Sequence, residues 1–138
     1  MSIGYNKPRY ILPFDHCSCF KKGLFGWTGE LSKEQTEKIA QSKEAIYDAF
    51  KLALSKSVPR ESSGILVDAQ FGADILRDGG KNAYITCMPA EKSGQAEFQF
   101  EYGEEYETEI DKFNPVFVKA LVPYNPEGDE PVNRWLQP

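Results

Sequence analysis

Lys119 is the residue whose position most directly suggests chemistry. It lies in the middle of the apolar run 116–122, where the alternation of a β-strand puts it on the same face as Phe117 and Leu121. A lysine that faces the interior of a sheet loses hydration, which lowers the pKa of its ammonium and favours an amine nucleophile or a proton shuttle. The alternative is an edge-strand lysine whose stem packs while its head reaches water.

Polar side chains follow each of the four short apolar runs of the chain. They are Asp15 and His16, Asp68 and Gln70, Glu91 and Lys92, and Tyr124 and Asn125. If the runs are parallel strands, these groups reach one edge of a sheet, the edge at which α/β folds bind ligands. A catalytic role for Lys119 further requires its amine to face one cavity together with the carboxylate of Asp15.

Asp15 and Lys92 suit particular tasks at such an edge. Asp15 could pair with a lysine, orient a sugar hydroxyl or serve as a general base, although Asp and His after a strand are also ordinary turn formers. Lys92 and the amides of the turn that follows it could anchor a substrate phosphate. The alternative for Glu91 and Lys92 is a solvated pair in a loop.

Cys17 and Cys19, next to His16, raise the question of a metal site or a thiol nucleophile. The Cys-x-Cys spacing differs from the usual zinc spacing, and Cys87 is the remaining thiol of the sequence, so no metal is predicted. A Cys-His pair is disfavoured because adjacent residues of an extended chain point to opposite faces. The sequence has neither a P-loop nor a dinucleotide-binding glycine motif, and no cofactor is predicted.

The apolar pattern predicts the elements that position these residues. The four apolar runs, read as strands, are 10–14, 65–67, 83–88 and 116–122. Between them the pattern indicates helices, and the order β-α-β-α-β-(α)-β predicts an α/β fold with a parallel sheet and right-handed crossovers.

Helical signals separate the runs. Ser32 with Gln35 forms a capping box that begins a helix over Ser32–Ser55, with apolar side chains on one face and lysines and glutamates on the other. A helical turn is predicted at Ala73–Asp78, ended by two glycines, and a third helix lies within 94–112.

Composition limits the classes of protein that fit. The 138 residues correspond to one domain, 1–138, in which 126–138 is an irregular proline-containing tail. A net charge of -5 argues against a nucleic-acid partner, and no apolar run is long enough to span a membrane. Three cysteines and a polar N-terminus favour a cytoplasmic protein.

Four strands are half of what an eight-stranded (β/α) barrel needs. A closed barrel takes about 250 residues, so the sequence predicts a partial TIM barrel. A four-stranded parallel sheet exposes two edges, and two copies could pair these edges to complete the barrel. The alternative is a complete open sheet, as in flavodoxin-like ligand binders.

Several motifs in order resemble one bacterial family. They are Tyr10–His16, Lys22–Trp27, Gly64–Gly72, Pro89–Gln95, Phe98–Gly103 and Phe117–Asp129. These segments resemble an aldolase-like (β/α)8 domain, found at the C-terminus of some bacterial 5-dehydro-2-deoxygluconokinases of inositol catabolism. That domain is similar in turn to class I tagatose-bisphosphate aldolases, which use a lysine Schiff base.

The resemblance implies a function in carbohydrate metabolism, the aldol cleavage of a phosphorylated keto sugar or keto acid. Asp15 matches the first-strand aspartate and Lys119 a fourth-strand active-site lysine, while Cys17 to Cys19 replace an Arg-Gly-Ser segment. The fifth-strand glutamate and the Schiff-base lysine of the family would lie beyond residue 138. The resemblance therefore implies a truncated lyase with little or no activity alone.

Pattern and resemblance together give the predicted site. Asp15 and Lys119 are predicted to be catalytic, and the predicted substrate-binding residues are Asp68, Glu91, Lys92 and Tyr124. A different class of function also fits, a non-catalytic module that forms a homo-oligomer through exposed strand edges.

Overall fold

A computed structural model describes residues 5–16, 18–95, 97–122 and 127. It contains one sheet of four parallel strands in the order β1-β2-β3-β4, which confirms the predicted α/β class. The strands are β1 (Tyr10–Pro13), β2 (Ser63–Leu66), β3 (Ile85–Pro89) and β4 (Phe117–Lys119). The helices are α1 (Lys33–Lys56), α2 (Ala69–Lys81) and α3 (Tyr106–Asp111), and Cys19–Leu24 forms a short π-helix.

Helix α1 begins as its sequence predicts. The Ser32 hydroxyl accepts a hydrogen bond from the Gln35 amide at 3.2 Å, and the Gln35 side chain accepts one from the Ser32 amide at 2.9 Å. This reciprocal pair satisfies two amides that the first turn would otherwise leave unbonded. The predicted range is correct to one residue at each end.

Helix α2 is longer than the predicted turn at Ala73–Asp78. It begins at the cap Asp68, whose Oδ1 accepts a hydrogen bond from the Phe71 amide at 2.9 Å, and it runs through both glycines to Lys81. The prediction that the glycines end the helix is wrong for a steric reason. A Cβ added at Gly79 would lie 2.9 Å from Thr86 Cγ2, so glycine lets the helix approach β3 closely.

The third predicted helix is mostly a different structure. Helix α3 covers six residues of the range 94–112, and before it the chain forms an antiparallel hairpin with a bridge between Glu91 and Phe100. The hairpin is supported by Lys92 donating its amide to Gln99 and by Glu101 donating to Ala90, at 2.8 and 2.9 Å. Phe98, Phe100 and Tyr102 alternate with Gln99 and Glu101, which is a strand signal that the prediction of a helix did not take into account.

The core lies between the helices and one face of the sheet. Its buried members are Phe14, Tyr47, Phe50, Ile65, Val67, Ile75, Leu76 and Met88. Tyr47 of α1 donates a hydrogen bond to Asp78 of α2 at 2.7 Å, which joins the two helices above the sheet. None of the helices among the described residues is both long and apolar enough to cross a membrane. The predicted tail, 126–138, lies outside the described residues except for residue 127.

Candidate functional site

Three charged side chains meet at the carboxyl ends of the strands. Lys119, the last residue of β4, has its Nζ 2.8 Å from Asp15 Oδ2 and 2.6 Å from Glu91 Oε1. Asp15 lies two residues after β1 and Glu91 two residues after β3, so three strands contribute to what we name the Lys119 cluster. The predicted proximity of Lys119 and Asp15 is confirmed, and their catalytic roles stay predictions.

The charge state of Lys119 differs from the predicted one. Burial lowers the pKa of Lys119, but the hydrogen bonds that Lys119 donates to Asp15 and Glu91, together with the negative charges of these carboxylates, outweigh burial and raise that pKa above its ordinary value. The prediction of a lowered pKa is therefore wrong, because the sequence does not show that two carboxylates would share one ammonium. In this geometry Lys119 is a cation rather than a neutral amine.

The contact between Lys119 and Asp15 also describes the shape of the sheet. β1 and β4 are its two edges, and three strand spacings in a flat sheet amount to about 14 Å. A direct hydrogen bond between side chains from the two edges indicates that the sheet curves, with Lys119 on the concave side. The helices cover the opposite, convex face.

A cavity of about 780 Å³ opens beside the cluster. Its lining includes Asp15, Asp68, Glu91, Lys92, Phe98 and Lys119. The hairpin that follows β3 forms one wall, and the π-helix contributes Lys21 and Lys22 to another. Both cations and carboxylates thus line a space of the size that small metabolites occupy.

Lys119 is the most exposed of the three side chains of the cluster, all of which line this cavity. Its side chain is 30% exposed, against 11% for Glu91 and 3% for Asp15. An ammonium carries three N–H donors, and the two carboxylates use two of them. A ligand oxygen in the cavity can therefore accept the third.

Asp68 lines the cavity but has both oxygens engaged in the fold. Its Oδ1 caps α2, and its Oδ2 accepts a hydrogen bond from Lys43. The structure thus brings this predicted ligand-binding residue to the site with its carboxylate already paired. Lys92 lies on the cavity wall with an exposed side chain, and Tyr124 lies outside the described residues.

Lys43 is a charged residue near the site that the sequence analysis missed. The amphipathic pattern predicts Lys43 on the solvated face of α1, but Lys43 is completely buried and donates a hydrogen bond to the Phe14 carbonyl at 2.8 Å. A signal existed, since Lys43 lies four residues after Ile39 and four before Tyr47, both in the buried stripe of the helix.

His16 lines the cavity, whereas the two described cysteines do not. His16 Nε2 lies 3.8 Å from Asp15 Oδ1 and its side chain is 59% exposed. Cys87 is buried in β3, and burial raises the pKa of its thiol to about 11, whereas Cys19 is exposed. Cys17 lies outside the described residues. Within the described part of the chain no cluster of three His, Cys, Asp or Glu side chains could hold a metal ion.

Comparison with known proteins gives a family match. The model of a family described as an uncharacterized protein conserved in bacteria, DUF2090, matches residues 6–137. No curated protein and no solved structure matches the chain. The prediction that the chain belongs with aldolases and a gluconokinase domain is therefore wrong. The matching family is uncharacterized, and nothing links it to either group.

Proposed function

The chain belongs to the bacterial family DUF2090, and we propose from its site that it binds a small phosphorylated keto sugar or keto acid and transfers a proton next to the carbonyl. The observation that carries the proposal is the Lys119 ammonium, held between Asp15 and Glu91 at the cavity. A fixed cation with an available donor suits an oxygen on which negative charge develops.

Each member of the cluster has a separate task in this proposal. Lys119 donates its third N–H to the carbonyl oxygen, which makes the neighbouring C–H bond more acidic. Glu91 lines the cavity and its side chain is the more exposed of the two carboxylates, so Glu91 takes the proton. Asp15, almost fully buried, keeps Lys119 charged and oriented.

The electrons of the C–H bond form a carbon–carbon double bond, and the carbonyl becomes an enolate next to the ammonium. Return of the proton from Glu91 reverses the step. Aldol cleavage would pass through the same enolate, with a carboxylate taking a hydroxyl proton while a carbon–carbon bond breaks. Because Lys119 stays protonated, this chemistry involves no covalent Schiff base.

Hydrogen exchange in heavy water tests the proposal. Dihydroxyacetone phosphate and pyruvate, followed separately by proton NMR, should lose C–H signals faster with the protein than in buffer. Lys119→Met and Glu91→Gln should reduce the exchange at least tenfold. Lys56→Met, which removes an exposed lysine at the far end of α1, should not change it. Exchange at the buffer rate, or equal exchange in Lys119→Met, would contradict the proposal.

The open edges of the sheet support a second proposal, that the curved sheet is half of a barrel and that a second copy completes it. β1 and β4 each have a neighbour on one side among the described residues. Eight strands would close a barrel, and in a barrel of that size the side chains fill the interior. The edge β4 of one copy would pair with β1 of the other, and two-fold symmetry repeats the contact.

Exposed apolar side chains lie along both edges. Leu12 of β1 is 39% exposed and lines an apolar groove of about 890 Å³ against α1. Val118 of β4 is 47% exposed on the same, helix-covered face, since it pairs with the core residue Met88. Pairing of β4 in one copy with β1 in the other would bring Val118 next to Leu12 on this face.

Light scattering tests self-association. We expect the wild type to have twice the mass of one chain, which is 15.6 kDa. The variants Leu12→Lys and Val118→Lys should have the mass of one chain, because a lysine at a strand edge opposes edge pairing. Leu52→Lys is the matched control, because Leu52 is 56% exposed on α1 and is not among the residues that line the groove at β1. A single-chain mass at every concentration would exclude the closed dimer.

A further inference from the structure

The buried ammonium of Lys43 contacts the backbone immediately before Asp15. Lys43 Nζ donates to the carbonyl oxygen of Phe14 at 2.8 Å and also to Asp68 Oδ2. Its side chain is 0% exposed. Loss of either contact would leave a buried charge without compensation and would destabilise the fold, so both contacts are expected to persist.

The Phe14 peptide is held from several sides. Its amide donates to the Leu66 carbonyl at 2.9 Å, its ring is in the core, and its carbonyl is held by Lys43. Phe14 thus has little freedom to rotate. The residue attached to it, Asp15, then has its side chain directed at Lys119.

Asp68 completes the connection. One carboxylate oxygen caps α2 through the Phe71 amide and the other binds Lys43, so the pair joins α1, the end of β1 and the start of α2. The rings of Phe20 and Phe71 lie 5.0 and 5.8 Å from the ammonium and close its surroundings. A surface salt bridge would not make this connection, because solvent would screen it.

From these contacts we propose that Lys43 is a positioning residue, which holds the Phe14 carbonyl so that the Asp15 carboxylate stays on Lys119. Lys43 is not among the residues that line the cavity and acts on the cluster through the backbone. The inference concerns the geometry of the cluster and stands whether or not the proposed reaction occurs.

The test exchanges the pair without changing the net charge. In Lys43→Met with Asp68→Asn one positive and one negative charge disappear together, and asparagine caps a helix as well as aspartate does. Replacing a buried ion pair by neutral groups of similar size is often tolerated. If this double variant does not fold, Lys43→Leu with Asp68→Ser repeats the exchange with another capping side chain.

The readout is the titration of Lys119, followed by NMR of the lysine side-chain nitrogens in the full chain. Its signal is assigned by its absence in Lys119→Met. In the folded double variant the pKa of Lys119 should be lower than in the wild type, because Asp15 no longer stays in contact and Glu91 alone opposes the effect of burial.

Tyr47→Phe is the matched control for a purely structural role. It removes another buried polar contact of the same helix, the bond to Asp78, without touching Phe14. It should lower stability and leave the Lys119 titration unchanged. An unchanged pKa in the double variant, or an equal fall in Tyr47→Phe, would overturn the proposal. Since no substrate is used, failure of the proposed reaction would not affect this result.

Discussion

Lys119, on one edge strand of the sheet, donates a hydrogen bond to Asp15, which follows the other edge strand. The two residues are 104 positions apart in the chain. Their contact depends at once on the curvature of the sheet, on the backbone position of Asp15 and on the charge of Lys119. Substitutions in the cluster should therefore affect stability as well as ligand binding.

Lys119→Met should destabilise the fold by about 1–3 kcal/mol, since it leaves two neighbouring carboxylates without their shared cation. The effect should stay below that of breaking a fully buried pair, because Lys119 is 30% exposed. Urea unfolding at pH 8 measures the difference. Lys56→Met, at an exposed position, should stay within about 0.5 kcal/mol of the wild type.

Stability should fall in alkaline solution in a way that depends on Lys119. Its pKa is raised in the folded protein, so its contribution is complete below the ordinary value of 10.5 and disappears as pH rises through the higher folded value. Between pH 9 and 11.5 the wild type should lose more unfolding free energy than Lys119→Met. Equal losses in the two proteins would show that Lys119 is not held as described.

Gly64→Ala should destabilise the sheet, because an added Cβ would lie 2.6 Å from Ile85 Cβ and 2.9 Å from Ile11 Cδ1. Overpacking of this kind costs about 1–3 kcal/mol. Gly80→Ala in α2 is the control, because a Cβ added there would have no neighbouring atom within 4 Å. This substitution should stabilise the helix by about 0.5–1 kcal/mol. Thermal unfolding of both variants checks the opposite signs.

Cys87 should resist alkylation. Its thiol is buried and has a pKa of about 11, so little thiolate forms at pH 8, whereas Cys19 is exposed. Peptide mass spectrometry after brief treatment with iodoacetamide should find Cys19 modified well before Cys87. Rapid labelling of Cys87 in the folded protein would mean that β3 opens readily.

The sequence predicted those parts of the structure that follow from periodicity. Alternation in 116–122 and the polar residues after each apolar run were enough to place Lys119 and Asp15 at one edge. Periodicity could not give the charge of Lys119, which depends on how many carboxylates reach it in three dimensions.

Lys43 and the hairpin after β3 were missed for different reasons. A lysine in an amphipathic helix is usually solvated. The sequence around Lys43 does not indicate that its ammonium would donate hydrogen bonds to Asp68 and to the Phe14 carbonyl. The second arm of the hairpin carries an alternating pattern, in which Phe98, Phe100 and Tyr102 are separated by polar residues, but this pattern is short and does not show that the arm returns to Ala90 and Lys92.

The order of the strands in the sheet is also their order along the chain. During synthesis on the ribosome, each emerging strand would therefore find its hydrogen-bonding neighbour already made, and the sheet could grow in one direction from the N-terminus. β4 would be added last. A chain that ended before residue 117 would hold three strands, and Asp15 would lack the Lys119 ammonium.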